Sequence, residues 1–426
     1  MSRRLLVPSR LALKFQSRPS PKTVVSRVMV LALVVAGFTV LGGGQALASH
    51  ARCGDTITTD TTLDSDLVNC PNNGIMIGAD NVTLDLNGHT IDGDGTPVDP
   101  CPEGEACDVG VLNRAGYDRL TIVGGTIRQF GVGVWVARGA AHNRLYQLAV
   151  SDTADVGIFV ADSTDSVIEK TAMSDPGEVG LVLVDSQRAL VARNSVSGTT
   201  GHAVFMFGVD DSRIQHNKLH ADKHGFLLGG SAHNLVQHNA VSDSGGGIEV
   251  VEGATANRVE HNRFNHTGDG MLVGDASDTL IRHNLVIGAG GGEAGGFGII
   301  LDGAVRTTVD RNIFTGGLGP AIFVTRLEAA APSQDTVVSR NFVNSKHSDG
   351  ILVGNGATGT LLIGNRAIRN GDDGIDVDAP ATTVTRNIAN HNHDLGIEAV
   401  PGVIDGGGNH AAGNGNPAQC INIDCT

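Results

Sequence analysis

Residues 247–270 read GIEVVEGATANRVEHNRFNHTGDG, and this stretch is one copy of a unit that repeats along most of the chain. Each copy opens with a small residue and an apolar-x-apolar triplet, and an asparagine followed by x-apolar comes about fourteen residues later. The openings lie 22 to 29 residues apart, at Gly110, Gly133, Gly157, Gly180, Ala203, Gly225, Gly247, Gly270, Gly298, Ala321, Gly350, Gly374 and Gly396. So regular a period predicts a solenoid, in which each repeat buries its apolar side only against its neighbours.

The pattern inside the unit indicates the kind of solenoid. Ile248 and Val250 flank Glu249, and this two-residue alternation is typical of a β-strand. No unit contains a helical run of apolar residues with i, i+3, i+4 spacing, which argues against helical and leucine-rich repeats. Three short strands and three turns fit about 23 residues, and stacked coils then form parallel sheets with about 4.8 Å between strands. The sequence therefore predicts a parallel β-helix.

The recurring asparagine supports the same fold independently. Asparagine tolerates the left-handed backbone conformation, so we expect it to bend the chain between sheets. Stacked in register, its amide can bond to the asparagines of the coils above and below, which forms a ladder. The predicted ladder consists of Asn194, Asn217, Asn239, Asn262, Asn284, Asn312, Asn341, Asn365 and Asn387.

These units resemble the right-handed parallel β-helix repeats of the pectate-lyase-like superfamily, including its NosD-type families. The segment NVTLDLNGHTIDGDG, residues 81–95, is especially similar to the first coil of such secreted bacterial proteins. The resemblance covers roughly residues 53–426. It implies an all-β, single-stranded, right-handed parallel β-helix of about 14 coils with a cap at each end. Because the superfamily holds lyases, hydrolases, epimerases and non-catalytic proteins, the resemblance leaves the chemistry open.

The domain organisation follows from where the repeat begins and ends. Residues 1–48 carry seven basic side chains, then the apolar run 28–41 and the sequence Ala46-Leu47-Ala48, which predicts a signal peptide cleaved before Ser49. An uncleaved anchor is the alternative, although fourteen apolar residues are short for a membrane span. Residues 49–73 are predicted to be an N-terminal cap, 74–400 the β-helix and 401–426 a C-terminal cap.

The charge of the chain limits its partners. The whole sequence has a net charge of −15, and removal of residues 1–48 leaves 23 basic and 45 acidic side chains, a net charge of −22. A nucleic acid or an anionic membrane surface needs a basic patch, and we find no cluster of basic residues along the sequence after residue 48. We therefore expect an acidic protein outside the cell or in its envelope, with no nucleic-acid partner and no membrane association after cleavage.

The six cysteines predict disulfides, because an even number in an exported chain is typical of disulfide bonding. The body of the repeat, residues 108–419, contains none of them. Fifteen connectivities are possible, and closeness along the chain favours Cys53–Cys70, Cys101–Cys107 and Cys420–Cys425. A zinc site is not indicated, because no Cys-x-x-Cys motif occurs.

The first strand of each coil presents an apolar outward row. The thirteen outward residues are Leu112, Trp135, Phe159, Val182, Phe205, Leu227, Glu249, Leu272, Ile300, Phe323, Leu352, Asp376 and Glu398. Ten of them are apolar. Insertions at 93–108, 288–297 and 327–334 border the same sheet, which often marks the binding face of a repeat protein. Trp135, Phe159, Phe205 and Phe323 are candidates to stack on sugar rings. The alternative is that the apolar row is covered by a loop, a second copy of the chain or a partner protein.

Acidic residues gather at the C-terminal end of the same face. The candidate catalytic residues are Asp373, Asp376, Asp378 and Glu398, because clustered carboxylates serve acid–base chemistry. The candidate ligands of a calcium ion are Asp349, Asp376 and Asp394. The motifs Gly-His-Gly and Asp-Pro-His-Asp of enzymes in the superfamily are absent, and Arg369 is the nearest basic residue.

A row of histidines precedes the asparagines in four successive coils, at His216, His238, His261 and His283. Stacking would place neighbours about 4.8 Å apart, so the row could hold metal. Arginine occupies the same position in other coils, as in Arg193 and Arg311, which favours a solvated basic row.

Two functions remain open from the sequence. The first is a secreted enzyme that binds or acts on polysaccharide as a lyase, epimerase or hydrolase on the first parallel sheet. The second is a non-catalytic extracellular structural or binding protein that uses the apolar row. Calcium is the one cofactor that the acidic residues suggest.

Overall fold

The computed structural model describes residues 50–96, 107–220, 222–290, 295–327, 329, 331–344 and 346–426. Within these ranges the chain forms 44 short β-strands and no α-helix. No helix that could cross a membrane is therefore found in the described part of the chain. The predicted all-β class is confirmed.

The strands are short and are numbered along the chain. The first half consists of β1 (Asp55–Ile57), β2 (Thr61–Thr62), β3 (Leu67–Cys70), β4 (Ile75–Ile77), β5 (Thr83–Asp85), β6 (Thr90–Gly93), β7 (Val109–Asn113), β8 (Thr121–Arg128), β9 (Val132–Val136), β10 (Arg144–Ser151), β11 (Val156–Ala161), β12 (Val167–Glu169), β13 (Ala172–Ser174), β14 (Val179–Val184), β15 (Leu190–Ala192), β16 (Ser195–Ser197), β17 (His202–Phe207), β18 (Arg213–Gln215), β19 (Lys218–His220), β20 (His224–Gly229), β21 (Leu235–Gln237) and β22 (Ala240–Ser242). The second half consists of β23 (Gly246–Val251), β24 (Arg258–Glu260), β25 (Arg263–Asn265), β26 (Asp269–Gly274), β27 (Leu280–Arg282), β28 (Leu285–Ile287), β29 (Ile299–Asp302), β30 (Thr308–Asp310), β31 (Ile313–Thr315), β32 (Ile322–Thr325), β33 (Val337–Ser339), β34 (Phe342–Asn344), β35 (Ile351–Val353), β36 (Leu361–Ile363), β37 (Arg366–Ile368), β38 (Ile375–Val377), β39 (Thr383–Thr385), β40 (Ile388–Asn390), β41 (Ile397–Ala399), β42 (Ile404–Asp405), β43 (His410–Ala412) and β44 (Cys420–Ile421).

Sixteen of the described strands form one continuous parallel sheet, called the first sheet below. Its order is β1-β4-β7-β9-β11-β14-β17-β20-β23-β26-β29-β32-β35-β38-β41-β44. The other strands form two further parallel ladders, which are joined because the long strands β8 and β10 pair in both. Fourteen strands of the first sheet, β4 to β41, lie between residues 74 and 400, as the period predicts.

The core lies inside the coil and follows the two-residue alternation. In β23, Ile248 and Val250 point inward and are each 1% exposed, whereas Glu249 between them is only half-buried. Large side chains such as Phe226 and Phe264 fill the interior of successive coils and are fully buried. Full burial of one such side chain stabilises the fold by about 1.5–3 kcal/mol. The alternation therefore decides both the core and the outward row of each strand.

The asparagine ladder is present, and it runs one coil further than predicted. The Nδ2 atom of Asn262 donates to Oδ1 of Asn284 at 3.1 Å and to the carbonyl oxygen of Val236 at 2.9 Å. The same pattern repeats from Asn194 to Asn387, whose amide donates in turn to Asn409. Each link joins two coils through buried groups, so the ladder fixes the register of the stack.

The expected backbone conformation of these asparagines was wrong. Positive φ belongs to the residue before each ladder asparagine, for example His261 with a φ of 55° and Arg311 with 53°. The side chain of the asparagine has to point into the stack to reach its partners, so the preceding residue makes the left-handed bend and points outward. Both histidine and arginine occur at this position because it is solvent-exposed and selects no single side chain.

The coil openings are small because the neighbouring coil lies against them. A Cβ atom added to Gly247 would collide with the carbonyl oxygen of Gly270 and would lie 2.7 Å from Cδ1 of Phe264. We expect Gly247→Ala to lower the free energy of unfolding by about 1–3 kcal/mol, because the core has no room for the added methyl group. Thermal unfolding measures this loss. Gly274→Ala is the matched control, since its Cβ would meet no atom closer than 3.5 Å; an equal effect of both changes would contradict the account.

Both ends continue the sheets and carry disulfides. Strand β1 pairs with β4, and β44 pairs with β41, so parallel pairing extends into the two segments predicted to be caps. The predicted bonds Cys53–Cys70 and Cys420–Cys425 are present. The third expected pair involves Cys101, which lies outside the described residues, as do the predicted signal peptide, its cleavage site at Ala48 and parts of the three insertions.

Candidate functional site

The acidic residues of the last coils lie together on and beside the first sheet. Strand β38 holds Asp376 between the buried, inward Ile375 and Val377, so its carboxylate points away from the core. In register, Asp376 lies beside Glu398 of β41 and beside Leu352 of β35, as the repeat predicts. Asp378 follows β38 and is exposed. The two carboxylates Asp376 and Glu398 therefore occupy neighbouring rungs of one sheet.

Further aspartates stand in the turns that lead into these strands. The backbone N–H of Asp373 donates to Oδ1 of Asp349 at 3.1 Å, and Oδ1 of Asp373 accepts from the backbone N–H of Leu395 at 2.7 Å. Asp373 is only 4% exposed. These hydrogen bonds link three successive coils and hold the carboxyl group of Asp373 at the sheet edge.

Asp373 is the common member of two carboxylate groups. Its oxygens and those of Asp349 and Asp376 come within 4.8 Å of one another, and a second such group joins it to Asp372 and Asp394. The expected calcium ligands are therefore divided: Asp349 and Asp376 lie in the first group, and Asp394 lies in the second. Either group offers oxygen ligands of the kind that calcium prefers.

Burial and mutual repulsion change the protonation of this cluster. Burial raises the pKa of Asp373 to about 8, and a hydrogen bond with Glu398 and the charges of Asp372 and Asp349 add to the shift. Burial also raises the pKa of Asp376 to about 7, with further contributions from Asp378 and Asp349. The cluster therefore retains protons at neutral pH, as closely spaced buried carboxyl groups do.

Asp373 should make the stability of the fold depend on pH. Its pKa rises from 3.8 in the unfolded chain to about 8, so its contribution to stability is complete below pH 4 and is lost as pH rises through 8. We expect the stability of Asp373→Asn relative to the wild type to increase by several kcal/mol between pH 4 and pH 9, because a pKa that differs by one between the folded and unfolded states corresponds to about 1.4 kcal/mol. Urea unfolding across this range measures the effect.

A matched control for this titration is Asp222→Asn. Asp222 is also buried, and burial raises its pKa to about 6, so its replacement should change the slope only between about pH 4 and 6. Parallel stability curves for the wild type and Asp373→Asn between pH 6 and 9 would show that Asp373 holds no proton there.

A basic depression of about 400 Å³ adjoins the acidic cluster. Its lining includes Arg369, the buried Lys346 and three histidines, His347, His391 and His393. Burial lowers the pKa of the Lys346 ammonium group to about 8. The backbone N–H of His393 donates to the carbonyl oxygen of Asp372 at 3.1 Å, so the depression adjoins the turn that carries Asp372. Arg369, the basic residue nearest to the acids in sequence, thus lines a depression beside them.

The candidate sugar-stacking rings are only partly accessible. Trp135 and Phe159 lie 5.0 Å apart between ring centroids, and Phe323 stacks on Phe297 at 5.5 Å. Phe159 and Phe205 are 7% and 5% exposed, within an apolar cluster on the outer face of the first sheet. Their ring faces are packed rather than open, so Trp135 and Phe323, both half-buried, are the rings that remain for a ligand.

A third group was missed by the sequence analysis. His202 and His224 begin β17 and β20, and their ligand atoms and a carboxylate oxygen of Glu249 lie within 4.8 Å of one another. The signal was present: both histidines directly precede a coil opening and stand 22 residues apart, one coil along the chain. The pair is inconspicuous in the sequence because histidine occupies this position in only two successive coils.

The longer histidine row forms a stack on the surface. The rings of His216, His238, His261 and His283 lie face to face with centroids 4.9 to 5.1 Å apart. All four are exposed. Partial burial and the neighbouring histidines lower the pKa of His261.

Two family profiles match the chain in succession. The first is described as "Periplasmic copper-binding protein (NosD)" and matches residues 87–268. The second is described as "Right handed beta helix region" and matches residues 293–423. Together with the stacked parallel sheets, these matches decide the class. The chain is a right-handed parallel β-helix repeat protein. No curated protein matches this β-helix protein in sequence.

Several solved structures are similar to this β-helix protein. A mutant of the periplasmic alginate epimerase AlgG has a TM-score of 0.52 at 14% identity, covering 68% of this chain and 78% of its own. The catalytic domain of a GH87 α-1,3-glucanase mutant in complex with nigerose has a TM-score of 0.49 at 11% identity and covers 73% of this chain. This β-helix protein spans 64% of that catalytic domain. DFA-IIIase from Arthrobacter chlorophenolicus A6 has a TM-score of 0.43 at 15% identity, covering 72% and 83% of the two chains. Likeness at these identities concerns the fold alone.

Proposed function

We propose that this β-helix protein hydrolyses glycosidic bonds of a polysaccharide at the acidic cluster of its last coils. The observation that carries the proposal is the carboxyl group of Asp373, which is 4% exposed and lies within 4.8 Å of the oxygens of Asp349 and Asp376, where burial raises its pKa to about 8. Glycoside hydrolysis needs a carboxylic acid with a raised pKa to protonate the leaving oxygen, and a second carboxylate beside it. Asp373 fills the first role.

The second role falls to the carboxylates around Asp373. Asp372 and Asp378 are exposed, and Glu398 is half-buried on the neighbouring rung of the sheet. Such a group can activate a water molecule or attack the sugar directly. Asp376, whose pKa is raised to about 7, lies between these groups and can exchange its proton within the cluster.

The basic depression suggests which polymers fit. Arg369 and the histidines beside it offer charged and polar donors next to the acids, as a sugar carboxylate requires. We therefore propose a uronate-containing polysaccharide as the substrate. The net charge of −22 expected after cleavage would repel such a polymer, so calcium ions that bridge carboxylates of the protein surface and of the polymer would assist binding.

The proposed place of action is outside the cytoplasm. Two described disulfides are typical of an oxidising compartment. The basic and apolar residues 1–48 are suited to direct export.

A panel of polysaccharides tests the proposal. The full chain would be incubated with polygalacturonate, alginate and neutral glucans, with and without calcium; alginate is included because one β-helix neighbour is an alginate epimerase. New reducing ends without an unsaturated product support hydrolysis. An unsaturated product would indicate a lyase, and a changed uronate composition without cleavage would indicate an epimerase. A chain that binds no polymer and cleaves none would contradict the proposal.

The outward apolar row of the first sheet favours a second candidate, non-catalytic binding of a partner. Trp135, Leu272 and Leu352 point away from the core and are only half-buried, so part of the row stays accessible. An accessible apolar row is typical of a docking surface. Stable association without any cleavage, abolished by Leu272→Asp but unaffected by Asp373→Asn, would favour this function.

A further inference from the structure

Three side chains at the middle of the first sheet converge from consecutive coils. His202 and His224 are partners in the register of β17 and β20, and their rings stack with centroids 4.9 Å apart. Glu249 reaches them from β23, with its Oε1 3.1 Å from Nδ1 of His224. All three are half-buried, and their ligand atoms lie within 4.8 Å of one another.

One ring nitrogen of this group has no partner among the described residues. Nε2 of His202 is buried and makes no hydrogen bond with any described residue, whereas Nδ1 of His224 is buried with Oε1 of Glu249 at 3.1 Å. A buried polar atom without a partner costs about 1–3 kcal/mol. A packing role alone leaves this cost uncompensated, whereas a bound ligand would remove it.

Space is kept open beside these atoms. Gly246 is the first residue of β23, the strand that pairs with β20, and it is buried. A Cβ atom at Gly246 would lie 3.0 Å from Nδ1 of His224 and 3.8 Å from Oε1 of Glu249. Any larger residue would therefore enter the volume between the imidazole and the carboxylate.

We propose that His202, His224 and Glu249 bind one divalent transition-metal ion. Two imidazoles and one carboxylate suit zinc, copper and nickel, whereas calcium and magnesium prefer oxygen ligands alone. The site is separate from the acidic cluster. Strand β38, which holds Asp376, lies five strands beyond β23 in the first sheet, and this corresponds to about 24 Å. The proposal therefore does not depend on polysaccharide hydrolysis.

Calorimetric titration of the untagged, metal-stripped chain with Zn²⁺ and Cu²⁺ tests the site. We expect one ion per chain at this site, Cu²⁺ binding more tightly than Zn²⁺, and no competition from Ca²⁺. His224→Ala and Glu249→Gln should each weaken Zn²⁺ binding about tenfold or more. Gly246→Ala should weaken it too, although it removes no ligand.

His238→Ala is the matched control, since it removes an exposed histidine from the surface stack. It should leave the high-affinity site unchanged. Thermal unfolding without metal shows whether each variant folds, and added Zn²⁺ should raise the melting temperature of the wild type but not of His224→Ala. Wild-type chain that binds no Zn²⁺, or binding lost with His238→Ala and kept in folded His224→Ala, would overturn the proposal.

Discussion

Replacing Asp373 by asparagine is expected to lower the rate of glycosidic cleavage by about 10²–10⁴-fold, the usual contribution of a general acid. Asparagine keeps the acceptor for the N–H of Leu395 but has no proton to give to the leaving oxygen. The loss should appear in kcat more than in KM, because the proton is transferred only in the transition state. Initial rates on the polymer identified by the panel measure both parameters.

The control for this change is Asp222→Asn. Asp222 is a buried aspartate whose Oδ1 accepts from the backbone N–H of Thr199. Asparagine fits this kind of position, because Asn370 accepts from the backbone N–H of Lys346 in the same way six coils further on. Replacement of Asp222 removes a buried acid without touching the cluster, so the rate should remain within about twofold of the wild type. Equal losses in the two variants would mean that Asp373 acts through folding rather than through chemistry.

Asn262→Leu is expected to produce a large loss of stability. The side chain of Asn262 donates to Asn284 and Val236, and its Oδ1 accepts from both the backbone and the side-chain N–H of Asn239. Leucine leaves these buried partners unmatched, at a cost of about 1–3 kcal/mol for each unsatisfied group. We expect the melting temperature to fall by several degrees. In a chain of this size, each kcal/mol of lost unfolding free energy lowers the melting temperature by at most about 4 °C.

Arg263→Leu is the control for the ladder, because it places the same residue at the next position, which is exposed. The free energy of unfolding should change by less than about 0.5 kcal/mol. If Asn262→Leu unfolds at the same temperature as Arg263→Leu, the asparagine ladder does not stabilise the stack.

The fold could be predicted because each coil repeats the same physical solution. The alternation around Glu249 indicates a strand, and the recurrence of Asn262 indicates a shared register, so together they predicted the coils and the ladder. The left-handed bend was assigned to the asparagine instead of His261, because sequence preference does not reveal which of two adjacent residues points into the stack.

The candidate site was predictable only where register alone decides proximity. Asp376 and Glu398 occupy equivalent positions one coil apart, so their pairing follows from the period. The burial of Asp373 depends on how its turn folds over the sheet edge, and the period does not report turn geometry. His202 and His224 illustrate another limit, since two equivalent residues carry little signal until the structure shows Nε2 of His202 without a partner among the described residues and the carboxylate of Glu249 beside His224.

The central claim is that Asp373 acts as the general acid, which donates its retained proton to the leaving oxygen. The pH dependence of kcat/KM tests this claim most directly. The acid is active while protonated, so kcat/KM should fall as pH rises through about 8, the pKa of Asp373. Asp222→Asn should show the same profile, and the residual activity of Asp373→Asn should lack the alkaline limb. A wild-type profile that stays flat to pH 9, or an alkaline limb that persists in Asp373→Asn, would contradict the account.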